Sequence, residues 1–340
     1  MVTKKQNGPP PRVRVPVARM LLVLLGVVLG TAILEGGSRL LWKAPWYEQL
    51  LAEQRRVQLY EYRKNSLSLR DRDYTPAKPP GKKRILILGD SFTYGMGVPN
   101  DENIFPEIIE RRLNALELDT APDGVEVLNA GLPATLTEHW VDLLEKTAAE
   151  FQPDVVLVVF FLRDGTRVMF IPEFFMKIRA DIVARNERSS WYQTLYSFRL
   201  LRDALDRRDI SRIYTQRFLN AYFGSDGETR EWQAAQGNLL RLRDLARSHS
   251  ADMGLVIFPV LVQLTDDYPF QPICDLLADF CKANDIPVHD LMDAFRGRNA
   301  SQLWVSPWDQ HPNSKGHALV AESLMPFVLR ALGEEPAQTR

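Results

Sequence analysis

The chain has 340 residues, 45% of them hydrophobic and 25% charged, enough for one large domain with additions. A formal net charge of −1 lacks the basic excess of a nucleic-acid binder, so no nucleic-acid partner is expected. The five histidines (His139, His249, His289, His311, His317) show no H-E-x-x-H spacing and the two cysteines no C-x-x-C, so no metal site is signalled.

Residues 1–14 are a polar, basic tail with Lys4, Lys5, Arg12 and Arg14. Met20 to Leu34 then carries no charge. Extended by flanking residues it gives a transmembrane span over 15–42, with Arg19, Glu35 and Arg39 near its edges. A bilayer requires about 20 such residues. Basic residues on the N-terminal side predict that this end stays in the cytoplasm, with the remainder outside the inner membrane. The competing reading is a cleaved signal peptide, with Gly30-Thr31-Ala32 as the small-x-small cleavage site. No cysteine follows the run, which excludes a lipoprotein. Residues 43–83 read as a juxtamembrane helix, Trp46 to Tyr62, and an extended connector holding Pro76, Pro79, Pro80 and Gly81.

From residue 84 to 333 strand and helix patterns alternate. Ile85 to Leu88 is a short apolar run that meets the turn Gly89-Asp90-Ser91, and Ile104, Ile108, Ile109 and Leu113 follow at helical spacing. Further strands are expected at Val125 to Asn129, Asp154 to Phe161, Gly254 to Pro259 and Ile286 to His289. Helices are expected at Thr135 to Glu150, Pro272 to Asn284 and Ser314 to Leu332. This alternation predicts an α/β domain, a parallel sheet covered on both sides. Residues 165–250 form a mostly helical insertion rich in aromatics and arginines, either a subdomain with its own core or a lid over the Ser91 end of the sheet. Residues 334–340 are a tail. Cys274 and Cys281 lie seven apart in a helical segment, about 10 Å between Cα atoms, too far for a disulfide.

Ser91 stands where open α/β sheets bind ligands, at the carboxyl end of a buried strand and the start of a helix. The same three turn residues also suit a plain turn with a helix cap. A serine nucleophile requires a base, and the base an orienting group. His311, in Asp309-Gln310-His311-Pro312-Asn313 before the last helix, is the best candidate, with Asp309 to orient it. Asp90 reads as structural, tying the Ser91 turn to nearby N–H groups.

Gly89-Asp90-Ser91-Phe92-Thr93-Tyr94-Gly95 resembles the first block of the SGNH (GDSL-type) hydrolases. Leu128-Asn129-Ala130-Gly131 resembles their second block, and Asp309 to Asn313 with Gly316-His317 their last, in the family's order. Asn65 to Tyr74, NSLSLRDRDY, resembles membrane-anchored bacterial members. The resemblance implies a three-layer, flavodoxin-like sheet and an acyl-enzyme mechanism without a cofactor. It implies Ser91 as nucleophile with its own N–H as one oxyanion donor, Gly131 as a second donor, His311 as base and Asp309 as its partner. Two departures stand out. Arg163, followed by Asp164, occupies the position of the usual oxyanion-hole Asn. Its guanidinium can donate to the oxyanion, bind an acidic substrate, or pair with Asp164. The family's D-x-x-H is here Asp309-x-His311, and His317 is the alternative base. The expectation is a membrane-anchored serine esterase or acyltransferase acting on acyl or acetyl esters of carbohydrate or lipid. The alternative is a catalytically degenerate protein that binds glycan or scaffolds an envelope assembly.

Overall fold

The structure, a computed structural model, describes residues 17–44, 48, 49, 52, 55, 60–166, 194–307 and 309–335. The basic tail 1–14, most of the Trp46 to Tyr62 helix, residues 167–193 of the insertion and the end of the C-terminal tail lie outside the described residues. The chain divides into two units, Met1–Trp46 with Ile178–Asp209, and Tyr47–Lys177 with Ile210–Arg340.

In the first unit, α1 (Val17–Leu41) is one continuous helix whose apolar side chains are exposed. Its mean hydropathy reaches 2.4 and its length suffices to cross a membrane. Glu35, near its carboxyl end, accepts hydrogen bonds from the Tyr196 N–H (2.6 Å), the Ser197 N–H (3.1 Å) and the Ser197 hydroxyl (2.8 Å). It thereby caps the start of α5 (Tyr196–Phe223), whose first N–H groups have no helical acceptors.

The second unit holds a five-stranded parallel sheet in the order β2-β1-β3-β4-β5. Its strands are β1 (Lys83–Gly89), β2 (Val125–Gly131), β3 (Val155–Phe161), β4 (Asp252–Phe258) and β5 (Val288–Asp290). β3, the sequence Val-Val-Leu-Val-Val-Phe-Phe, is buried along its whole length, as a strand covered on both faces must be. α3 (Phe105–Leu113) packs with the last helix, α9 (Ser314–Ala331), and α4 (Thr137–Phe151) with α6 (Asp226–Ser248). Right-handed crossovers put these two pairs on opposite faces, which makes the three layers of a flavodoxin-like fold. The chain leaves β1 toward one edge and β3 toward the other, so the switch point lies between their carboxyl ends. α7 (Gln271–Ala283) buries both cysteines, free and apart.

Two features differ from the sequence reading. The second strand continues through Ala130-Gly131, because its end pairs with Leu88 and Gly89 of β1. The loop expected before the last helix contains a two-stranded antiparallel ribbon, β6 (Trp304–Ser306) and β7 (Asp309–Pro312).

β2 is an edge strand, and edge strands expose unpaired N–H and C=O groups. Here side chains take the place of a sixth strand. Asn114 bonds both the N–H (2.9 Å) and the C=O (2.8 Å) of Val125. Glu110 accepts the Val127 N–H (2.7 Å), the Tyr74 hydroxyl donates to the Val127 C=O (2.7 Å), and Asp71 accepts the Asn129 N–H (2.7 Å). Asn114→Ala leaves both polar groups of Val125 unpaired at a part-buried position, and should destabilise the domain by about 1–3 kcal/mol, read as a lower urea midpoint.

Candidate active site

β1 ends at Gly89, and Asp90 caps the short helix α2 (Ser91–Tyr94), its carboxylate accepting the Phe92 N–H at 2.8 Å. This sharp strand-to-helix transition presents the Ser91 hydroxyl at the switch point, where it is only 6% exposed. The His311 Nε2 lies 2.9 Å from Ser91 Oγ, across 220 residues of sequence. His311 Nδ1 lies 2.5 Å from Asp309 Oδ1. The carboxylate fixes the tautomer: Nδ1–H donates to Asp309, which leaves Nε2 to accept the serine proton.

The D-x-H spacing has a direct physical explanation. Asp309 and His311 both lie in β7, and alternate residues of a strand point to the same side. Asp309 Oδ1 also accepts the main-chain N–H of His311 at 3.0 Å, so one carboxylate holds backbone and ring together. Asn313 follows, its Oδ1 capping α9 through the Lys315 and Gly316 N–H groups. Its Nδ2 donates to the Gln302 and Trp304 carbonyls, which ties the ribbon to the helix start. The Phe92 ring stacks on Phe161 (4.0 Å between centroids) and lies beside His311 (5.1 Å), giving the imidazole an apolar wall.

His317 is fully buried elsewhere. It stacks on Phe105 and accepts that residue's N–H through Nδ1 at 3.2 Å, capping α3. Burial, aided by the positive charge of Arg70, pushes its pKa down to about 3. A ring that is neutral above about pH 3 and engaged at Nδ1 with α3 is a structural group, and it is His311 that meets Ser91.

The Arg163 guanidinium donates to Asp90 Oδ2 at 2.9 Å and lies 3.9 Å from Asp164 Oδ1. Its main partner is therefore Asp90, the residue before Ser91, and not Asp164. Burial works against its charge, but Asp90 and Asp164 outweigh that and raise its pKa. Asp164 is fully buried, with Oδ2 accepting the Phe161 N–H at 2.9 Å. Burial first, then the charge of Asp90, push its carboxyl well above the usual range. Asp90, Arg163 and Asp164 thus form one buried cluster under the Ser91 turn. On α5, the buried Tyr222 hydroxyl donates to the Leu162 carbonyl and props the Arg163 turn from behind.

The Gly131 N–H donates to Asn129 Oδ1 at 3.1 Å, within its own strand. A side chain at Gly131 would collide with the backbone of Thr93 and Tyr94, so glycine is required here by the packing of β2 against α2. Sequence reasoning gave no role to Asn129, Arg70, Asp71 or Tyr62, all of which bond to these turns. The signals present were the run of charge Arg70-Asp71-Arg72-Asp73 inside a connector, within the stretch Asn65 to Tyr74, and the place of Asn129 in the second block. Among the described residues no group of three or more His, Cys, Asp or Glu side chains could hold a metal ion.

A family model described as GDSL-like lipase/acylhydrolase matches residues 87–319. Among solved structures, the chain is similar to an acetylxylan esterase from Geobacillus stearothermophilus, at 15% identity and a TM-score of 0.43, over 76% of this chain and 97% of that one. It is similar to TesA at 15% identity and a TM-score of 0.44, over 74% and 99% of the two chains. It is also similar to the psychrotrophic esterase EstA from Pseudoalteromonas sp., at 16% identity and a TM-score of 0.43, over 74% and 100%. No curated protein matches it.

The buried His317 has a consequence for pH. Between about pH 3 and 6.5 the folded ring is neutral, whereas the unfolded one is protonated. The unfolded chain binds more protons in that window, so stability rises with pH across it and is lost on acidification. Between pH 6.5 and 5, the urea midpoint of His317→Gln should therefore depend less steeply on pH than that of wild type.

Proposed function

The chain belongs to the GDSL-like lipase/acylhydrolase family and is an SGNH ester hydrolase, and from that premise we propose that it works through a Ser91–His311–Asp309 acyl-enzyme mechanism on a membrane-anchored domain. The observation that carries the mechanism is the continuous chain of hydrogen bonds from Ser91 Oγ to His311 to Asp309. Ser91 Oγ attacks the ester carbonyl while its proton passes to His311 Nε2. Asp309 stabilises the imidazolium that forms. The leaving alcohol takes that proton, and an acyl group remains on Ser91. Water, or a second hydroxyl in a transfer reaction, then gives a proton to His311 and attacks the acyl-enzyme; as the adduct collapses the bond from Ser91 Oγ to the acyl carbon breaks and His311 returns that proton to Ser91 Oγ. In the first case the product is a carboxylic acid, in the second a new ester.

The oxyanion is met by the Ser91 N–H at the start of α2 and by the Gly131 N–H, which shares itself between Asn129 Oδ1 and the developing charge. Arg163 adds positive potential and, through Asp90, fixes the nucleophile turn. An ester of acetyl or another acyl group on a carbohydrate or lipid suits this chemistry. The complete hydrogen-bond chain at Ser91 favours catalysis over a degenerate binding role.

Anchoring is supported by α1. The helix runs unbroken through Gly30-Thr31-Ala32 to Leu41, with Thr31 Oγ1 bonded back to the Val27 carbonyl at 2.6 Å. Retention of α1 with its basic end in the cytoplasm places the hydrolase domain outside the inner membrane.

Ser91→Ala and His311→Ala should each abolish labelling by a fluorophosphonate probe and hydrolysis of aryl acetates, with folding intact by circular dichroism. Asp309→Asn, which keeps the shape but removes the charge, should lower kcat by about 10³–10⁴. Labelled wild-type activity surviving in Ser91→Ala would sink the mechanism. The protein purified from membranes should require detergent for release and show the intact mass of the full chain; a mass beginning near Ile33 would identify a cleaved signal instead.

A further inference from the structure

A strap of residues 60–74 runs ahead of β1, outside the 87–319 region that the family model matches. At its centre, two consecutive residues reach the two turns of the site. The Arg70 side chain is fully buried. Its Nη1 donates to the Gly95 carbonyl (2.6 Å) and the Tyr94 carbonyl (3.3 Å), its Nη2 to the Val98 carbonyl (2.7 Å), and its Nε to Asp101 (2.7 Å). Gly95 and Gly97 have φ of 79° and 83°. The chain therefore turns back directly after α2, and its carbonyls find no continuing helix to accept from. Arg70 satisfies them with a cation at a helix carboxyl end. The Tyr62 ring lies 4.2 Å under the guanidinium, and its hydroxyl accepts the Gly97 N–H at 2.9 Å.

Asp71 grips the other turn. Its Oδ2 accepts the Asn129 N–H at 2.7 Å, and the Tyr74 hydroxyl supports the carboxylate at 3.1 Å. Asn129 Nδ2 donates back to the Arg70 carbonyl at 3.3 Å, and Asn129 Oδ1 holds the Gly131 N–H. The strap itself is kept in shape by Asn65 Oδ1, which accepts the Leu67 and Leu69 N–H groups at 3.0 Å each.

Resting on the esterase reading above, we infer that Arg70-Asp71 is a positioning clamp for the oxyanion site. One residue holds the turn that carries the Ser91 N–H, the next holds the strand end that carries the Gly131 N–H, and the peptide bond between them sets the spacing of the two donors. The clamp touches no reacting atom. Its value lies in geometry, because an oxyanion donor stabilises the transition state only when it points at the place where charge develops. The two turns already meet closely, since no Cβ fits between Gly131 and α2. A small slip of either turn is therefore felt at both amides.

The test uses the full chain in detergent, with Asp71→Asn and Tyr62→Phe. Asp71→Asn keeps the shape and loses the carboxylate; Tyr62→Phe keeps the ring under Arg70 and loses the acceptor for Gly97 together with a 3.8 Å contact to Met96 Sδ. For an aryl ester, kcat should fall about tenfold or more in Asp71→Asn, with KM within about twofold, since removal of a whole donor costs about 10²–10³. A boronic acid that mimics the tetrahedral adduct should bind weaker by the same factor as kcat falls. Amide hydrogen exchange should quicken only in peptides covering 90–98 and 128–133. Unchanged kcat, boronate affinity and exchange would overturn the clamp, as would a rise in exchange across the whole domain. Should Asp71→Asn fail to fold, Tyr62→Phe decides by the same readouts, with the exchange increase expected at 90–98. If the wild type neither hydrolyses esters nor binds the boronate, the esterase reading fails, and the exchange pattern alone decides whether the two turns are held by the strap.

Discussion

The contact between Ser91 Oγ and His311 Nε2 is the constraint that the rest of this structure serves. It joins positions 220 residues apart at 2.9 Å, so every element between them must return the chain to one point. The return is secured locally. Trp304 of β6 donates its indole N–H to the Leu261 carbonyl at 2.7 Å, anchoring the ribbon beside the end of β4. Gly97 sits directly against the Val305 side chain, where a larger residue would push the ribbon away from the nucleophile turn. Asn313 bonds the ribbon with one end of its amide and starts α9 with the other. His311 is thus brought to Ser91 by a short strand rather than by a free loop.

Beneath the serine lies a second constraint, electrostatic in kind. Asp90 and Asp164 are both buried, and two desolvated carboxylates in one place are costly without compensation. Arg163 stands near both, bonded to Asp90 at 2.9 Å. Asp90 in turn caps the helix that begins with the nucleophile. Arg163 therefore has a structural logic of its own: it stands against buried acids and is bonded to the residue that precedes Ser91.

The side-chain edge on β2 connects these local devices to the sheet as a whole. Tyr74, Asp71, Glu110 and Asn114 occupy hydrogen-bonding positions that a further strand would otherwise seek. The same cover that closes the edge also carries Arg70 to the turn after α2. Residues ahead of the alternating strand–helix domain are consequently part of its architecture and not merely a connector from α1.

Much of this was legible in the order of residues. Periodicity revealed the buried strands, because a strand covered on both faces tolerates only apolar side chains, and β3 has nothing else. The uncharged run of α1, the glycine-aspartate-serine turn and the aspartate and histidine before the last helix could all be read as local patterns. The pairing of Asp309 with His311 was an expectation from their proximity in sequence, and its physical reason came only with the strand that turns both side chains to one side. Nor could the partner of Arg163 be read, since only the folded geometry sets Asp90 at 2.9 Å from it and Asp164 at 3.9 Å. His317 stood as the alternative to His311 in the sequence; depth in the core separates them, by removing the charge from one and leaving the other at a serine. Local composition determined which elements form and where the candidate chemistry sits. Contacts across hundreds of residues, and the desolvation they impose, decided which of those side chains meet.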